Sequence, residues 1–442
     1  MSDRDARRRL ARECVTAGID AANPARVVRD ELTRDGGALR IGDETVALDD
    51  YEDVVVLGGG NAAAGVAAAL EDVLGERLSG GLVVTDDPVA TERVTVRRAD
   101  HPTPSERGRD AARELCERAE RAGEETLVLA VVTGGASALL PAPASGLSLD
   151  DVRATTDALL ESGATIDEVN AVRKHCSALK GGRLARLLAP ARVVTLAFSD
   201  VVGDDLAVVG SGPTVPDPTT YADALAVLDG YEISVPDAVR AHLDAGARSE
   251  RDETPDTDES VFARVTTHVL ATNRTTVDAA AERAHEAGYD VLVLSTRIRG
   301  EAREAATTHV AVAEEVLASG DPIGAPCVVL SGGECTVTVR GDGTGGPNQE
   351  FALSAARDVP AGATLAAVDT DGRDGATDAA GAIVDSETLA DRAARREATR
   401  ALRENDAYPV LDDADALLTT GRTGTNVNDL RVLVVDDPNA ET

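Results

Sequence analysis

The sequence predicts a two-domain α/β protein, with a parallel sheet in the N-terminal part and a smaller α/β domain after it. Three observations carry that expectation. Short apolar runs alternate with helical stretches along most of the 442 residues. Glycine-rich turns follow those apolar runs. Hydrophobic residues make up 43% of the chain and aromatics only 2%, so the core is built from Ala, Val and Leu, which suits a parallel sheet covered by helices.

The first apolar run is 53–57, followed by Gly58-Gly59-Gly60 and an alanine-rich helix to about residue 74. A strand at 81–85, a helix at 105–122 and a strand at 126–132 come next, the last ending in Thr133-Gly134-Gly135. The strand 193–198 ends in Ser199-Asp200. Strands separated by helices imply parallel pairing through right-handed crossovers. The acidic stretch 247–260 reads as a linker or surface loop and places the domains at 1–247 and 248–442. Beyond it come a helix at 275–287, a strand at 291–295 and a helix at 301–318. Strands at 327–331 and 335–340, a helix near 348–358, and strands near 364–368 and 431–435 complete the second domain.

Acidic residues number 78 against 44 basic ones, a formal charge of -34. A nucleic-acid binder needs a basic surface, so that class is excluded. Acidity spread over the whole chain reads as a surface adapted to high salt, which screens its self-repulsion. The five cysteines form no CxxC and read as free thiols in a reducing cytoplasm. There is no signal peptide and no apolar run near membrane-spanning length, so a cytoplasmic protein without membrane contact is expected.

Of the 44 basic residues only Lys174 and Lys180 are lysines. A compact ammonium is needed where a planar guanidinium does not fit. With Arg173 and Arg183 they form the one dense cationic island, the natural seat for a carboxylate or phosphate. A solvated basic helix face is the plainer alternative.

Gly58, Gly60 and Ala63 fit G-x-G-x-x-A, with Asp86 ending the next strand. That pattern serves a dinucleotide, or any anion at a helix N-terminus. Similar turns recur around Gly134-Gly135 with Ser137, Ser211-Gly212, Gly332-Gly333, Gly345-Gly346, and 420–426 with Thr423 and Asn426. Converging backbone N–H groups and hydroxyls suit an oxyanion, and so many turns point to a ligand with several phosphates in an interdomain cleft. Asp200, Asp204, Glu334 and Asp371 lie at strand ends, where carboxylates suit Mg²⁺ or serve as helix caps and Asx-turns. There is no G-x-S-x-G and Ser137 has no evident base, which disfavours a serine hydrolase.

These motifs together resemble the MOFRL glycerate kinases over roughly residues 5–435. The agreeing stretches include His101-Pro102-Thr103-Pro104, Gly134-Gly135-Ala136-Ser137, 163–183, Ser199-Asp200-Val201-Val202-Gly203-Asp204-Asp205, Ser211-Gly212-Pro213-Thr214, Ser331-Gly332-Gly333-Glu334, Asn348-Gln349-Glu350, Thr370-Asp371-Gly372 and Gly424-Thr425-Asn426-Val427. The resemblance implies a Rossmann-like N-terminal domain, a smaller C-terminal α/β domain and an active site in the cleft between them. It implies phosphorylation of a small hydroxy acid, D-glycerate, at O2, using ATP and Mg²⁺. A monomer or homodimer is expected.

On this basis Lys174, Lys180, Arg173, Arg422 and Asp200 are the expected catalytic groups, and Ser137, Arg183 and Asn348 the substrate-binding ones. Gly58, Gly60, Gly134, Gly135, Ser211, Gly212, Gly332, Gly333, Thr423 and Asn426 are expected to hold the nucleotide. Asp204, Glu334 and Asp371 are the expected metal ligands. Two positions depart from the family pattern. Asn61 stands where the family has lysine, and Pro347 where it has arginine. Arg422 replaces a family proline and is the candidate substitute cation. The alternatives are a weak or inactive relative that binds a hydroxy acid, and an NAD(P)-dependent hydroxypyruvate reductase.

Overall fold

The computed structural model describes residues 2–436. Residues 24–270 form one compact unit, and the residues up to 23 together with those from 271 onward form the other.

The 24–270 unit opens with a small antiparallel sheet of β1 (Leu32–Asp35), β2 (Ala38–Ile41) and β3 (Glu44–Ala47). Its main sheet contains β4 (Asp53–Gly59), β5 (Gly80–Thr85), β6 (Val94–Arg98), β7 (Thr126–Val132), β8 (Arg192–Phe198) and β9 (Val265–Ala271), in the order β6-β5-β4-β7-β8-β9. The pairings from β6 through β8 are parallel. Strands buried on both faces require continuous apolar runs, which is why β7 reads Leu-Val-Leu-Ala-Val-Val after its first residue. Gly58 is forced by packing: a Cβ there would lie 1.9 Å from the Val131 carbonyl oxygen, at φ +152°.

The other unit carries β10 (Asp290–Glu301), β11 (Cys327–Thr336), β12 (Ala363–Asp369), β13 (Gly381–Asp385), β14 (Leu417–Leu418) and β15 (Asp429–Val435). Their order is β10-β11-β15-β12-β13-β14, and only β10 and β11 pair in parallel. The strand period of two sorts side chains to opposite faces. Cys327, Val329, Leu365, Leu433 and Val435 pack with the helices Ala302–Ser319 and Pro347–Ala356. Val328, Leu330, Val432 and Val434 pack with Leu10, Cys14 and Val15 of helix Asp3–Ala21 and with Val277 of helix Asn273–Glu286. The result is a sheet with helices on both faces.

Several expectations need correction. The division between 247 and 248 is not where the compact units part. The N-terminal helix belongs to the later unit because its apolar stripe packs on that unit's sheet. The acidic stretch 247–260 is not a linker. Glu253 accepts the Tyr221 amide at 3.1 Å, and the Pro255 carbonyl accepts the Asp217 amide at 2.9 Å, so the segment is held on the 24–270 unit. The expected strands 327–331 and 335–340 form one strand ending at Thr336, because Ser331 to Thr336 continue the ladder with β10. The second sheet is mixed. All five cysteines are free thiols, and no helix among the described residues is long and apolar enough to cross a membrane.

Candidate active site

In the 24–270 unit the strand order reverses between β4 and β7, and in such sheets ligands bind beyond the carboxyl ends at that point. Gly60-Asn61, Thr133-Gly134-Gly135 and Ser199-Asp200 all emerge there from β4, β7 and β8. The glycines are used first by the protein itself. A Cβ on Gly60 would lie 2.0 Å from Thr133 Oγ1, one on Gly134 2.4 Å from Asp200 Oδ2, and one on Gly135 2.2 Å from Asn61 Oδ1. Asn61 is anchored by its amide to the Gly134 carbonyl at 2.8 Å, and its buried Oδ1 has no hydrogen-bond partner. The Asn61 side chain therefore folds over the Gly134-Gly135 turn.

Asp200 also faces that turn. Burial pushes its carboxyl up to about 6, against backbone N–H donation from Gly135 that pulls it down.

The cationic island divides into two kinds of residue. Helix Ile166–His175 begins with a Thr165–Glu168 capping box and ends in Arg173, Lys174 and His175, cations suited to a helix C-terminus. Lys174 is buried and paired with Asp217 at 3.2 Å. The same Asp217 oxygen accepts the Thr219 hydroxyl at 2.8 Å, so this lysine fastens the 217–219 turn. Lys180 is also buried but has no acidic partner, and its Nζ donates to the Ser137 carbonyl at 2.7 Å. Burial, then nearby Arg173, pulls its ammonium down to about 7. Burial also lowers the Arg173 guanidinium, and no ion pair among the described residues involves it.

Ser211 and Gly212 adopt left-handed backbone, φ +62° and +61°. Their carbonyls accept the amides of Gly181 and Gly182 at 3.0 and 2.7 Å, which bolts this turn to the island. Ser211 Oγ donates to Asn170 Oδ1 at 2.8 Å, so at the 3.0 Å Ser137–Ser211 contact Ser137 is the donor. Asn170 Nδ2 is buried without an acceptor. Asn170 lay in the sequence motif, but nothing in the sequence singled it out. Arg183 turns elsewhere, to the Tyr221 hydroxyl at 3.3 Å.

The other unit has its own polar centre. Asn348 Nδ2 donates to Asp429 Oδ1 at 2.7 Å and Asp374 Oδ1 at 3.3 Å. Asp374 also caps helix Pro347–Ala356 by accepting the amides of Asn348 and Gln349, so Pro347 occupies a first-turn position where no N–H is needed. Burial pushes Asp374 up to about 7. Asp369 lies well above the carboxylate range through burial and the neighbouring Asp371 and Asp429, and Asp371 is raised through burial. Arg422 and Arg373 both act on Asp371, and the sequence reading missed Arg373. Arg431 pairs with Asp429 and stacks over Phe351 at 4.7 Å.

The expected nucleotide turns in this unit differ from one another. A Cβ on Gly332 would meet Asn273 Oδ1 at 1.7 Å, and one on Gly333 the Ile298 oxygen at 2.3 Å, so both glycines serve packing. Gly421 and Gly424 instead have positive φ and open space around them. Thr423 donates to the Thr370 carbonyl at 2.6 Å and Asn426 accepts the Asn428 amide at 3.0 Å, which shapes this open loop. Space is thus left beside Gly421 and Gly424 and none beside Gly332 and Gly333.

Asp204 and the pair Glu334 and Asp371 belong to different units. Asp204 lies in the first unit at φ +60°, Glu334 is exposed on β11, and Asp371 Oδ1 accepts the Arg373 amide. Among the described residues no group of three or more His, Cys, Asp or Glu side chains is arranged to hold a metal ion. These residues do not fit a protein-caged Mg²⁺, and no step is derived through one.

Residues 10–244 match the family model described as "Domain of unknown function (DUF4147)", and residues 327–429 the one described as "MOFRL family". The chain is 39% identical to a glycerate 2-kinase of Pyrococcus horikoshii, over 98% of this chain and 99% of that protein. It is 37% identical to a D-glycerate 2-kinase of Thermotoga maritima, over 97% and 99%. It is 41% identical to a putative hydroxypyruvate reductase of Agrobacterium vitis, over 86% and 87%. The crystal structure of the Thermotoga maritima glycerate kinase superposes with a TM-score of 0.83 at 36% identity, covering 97% of this chain and 99% of that one.

Proposed function

This chain belongs to the glycerate 2-kinase family built from DUF4147 and MOFRL regions, and from that premise we propose that it phosphorylates D-glycerate at O2 with ATP. One observation carries the reading: in a chain with 78 acidic residues, buried Lys180 and its neighbour Arg173 have no carboxylate partner among the described residues. Two desolvated cations without counter-charge are costly unless an anion completes them.

In this mechanism Arg173 and Lys180 hold the glycerate carboxylate or the transferring phosphoryl group, with Ser137, Ser211 and Asn170 as neutral partners. Asp200 takes the proton from O2. Its elevated carboxyl is near-matched to neutral operation, as a general base requires. The O2–Pγ bond forms as the Pγ–O bond to ADP breaks. Within its own unit the open 420–426 loop with Arg422 is the candidate for phosphate contacts, and Lys174 passes from catalysis to positioning. Phosphoryl transfer asks the protein mainly for positioning and charge, so this division of roles suffices in kind.

The reductase reading draws on the Gly58–Gly60 fingerprint and on one relative's name. Both glycines are already required by contacts with Val131 and Thr133, which removes the need for a dinucleotide to explain them. The deciding experiment incubates the protein with D-glycerate, ATP and Mg²⁺ in high KCl and identifies the product by NMR. 2-Phosphoglycerate is expected. Stabilisation by glycerate without turnover supports a binding protein, and NAD(P)H oxidation with hydroxypyruvate supports the reductase.

A further inference from the structure

A second cavity, of about 460 Å³, opens within the 24–270 unit. Ser177, Arg183, Tyr221, His242 and Arg251 line it; Ser137, Arg173, Lys180, Asp200 and Ser211 do not. Its polar groups are unusually unsatisfied. The Nε atoms of Arg183 and Arg251 are both buried without an acceptor. Among the described residues neither arginine is in an ion pair, although acidic side chains outnumber basic ones across the chain. The acids at the rim do not complete them: Glu250 is held by Arg248 at 2.9 Å, and Asp252 is exposed. Arg186, also in the lining, is engaged by Glu259.

His242 adds a directional requirement. Its Nε2 lies 2.9 Å from the His175 carbonyl and therefore donates to it. Neutral imidazole then presents a lone pair at Nδ1, which is buried with no donor. Burial, then Arg251 and Arg183, disfavours protonating that nitrogen. Two guanidiniums with an incomplete donor and one imidazole with an incomplete acceptor thus belong to residues of the cavity wall.

We propose that this cavity is a second binding site, taking a small phosphate monoester whose singly protonated phosphate accepts from Arg183 and Arg251 and donates its O–H to His242 Nδ1. The volume leaves room for a short organic group beside Leu187 and the Tyr221 ring. The site assigns Arg183 away from the glycerate seat, and it stands whether or not the kinase reading does. A fully deprotonated tetrahedral anion of the same size lacks the O–H, so sulfate is discriminated against.

The test is isothermal titration calorimetry of the full chain with inorganic phosphate and with sulfate as probes, near pH 6, where inorganic phosphate is mostly the dihydrogen monoanion and carries the O–H that sulfate lacks. Arg251→Ala is expected to weaken one class of phosphate site about tenfold or more, the scale of a charge-assisted hydrogen bond. Glycerate turnover is expected to stay unchanged. Arg251→Lys, which keeps the charge, is expected to recover part of that affinity and guards against a folding defect. At the Arg251-dependent site sulfate is expected to bind at least about tenfold more weakly than phosphate. Phosphate titrations that are the same for wild type and Arg251→Ala overturn the proposal. So does sulfate binding as tightly as phosphate at that site.

Discussion

The two units bury charge in opposite ways. In the 24–270 unit two cations are left without carboxylates among the described residues: Lys180 Nζ donates to a backbone carbonyl, and Arg173 has no ion pair. In the other unit carboxylates crowd together, and the fold itself satisfies them: Asp374 caps a helix, and Asp429 binds Asn348, Arg431 and the Cys335 amide. Buried polar groups satisfied by backbone and neighbours are architecture. Those left incomplete mark where a ligand is needed. The same contrast separates two lysines six residues apart, since Lys174 has Asp217 and Lys180 has no acid.

The sharpest way to break this contrast is to remove the guanidinium that has no counter-ion. Arg173→Ala is expected to lower kcat/KM by about 10²–10³, the range for losing one preorganised charge-stabilising donor. Steady-state kinetics check it, and a loss below about threefold would place the anion elsewhere.

The pH dependence comes next. Asp200, raised to about 6, must be ionised to accept a proton, so activity rises through that pH. Lys180, lowered to about 7, loses its charge as pH rises further, so kcat/KM falls above it. A narrow bell in kcat/KM with limbs near those values is expected, reporting the free protein's groups. Asp200→Asn should remove the acid limb with most of the rate.

The smallest effect tests the other unit. Arg422→Ala is expected to cost about tenfold in turnover, because an exposed loop cation is screened more than a buried one. Unchanged turnover withdraws Arg422 from the catalytic groups.

Much of the sheet architecture was legible because parallel strands are continuous apolar runs, as at 126–132 and 193–198. The N-terminal helix was not assigned correctly: Leu10, Cys14 and Val15 specify an apolar stripe but not which sheet it covers. The glycine turns were legible but not their use, because close packing and phosphate binding both demand glycine; the contacts at Gly58, Gly60 and Gly332 show the packing demand. The cationic island was legible as a segment, not in its division of labour. Asp217 lies far along the chain from Lys174, and sequence carries no mark that this pair forms.

That pair of lysines gives the most direct measurement. Lys174→Met and Lys180→Met are compared for thermal stability and for kcat/KM at a temperature where both are folded. Lys174→Met is expected to lose about 3–5 kcal/mol of stability by stranding Asp217, with turnover per folded molecule near wild type. Lys180→Met is expected to keep its stability and lose most of its kcat/KM. Equal activity in the two variants would contradict the claim that the unpartnered cation marks the seat of catalysis.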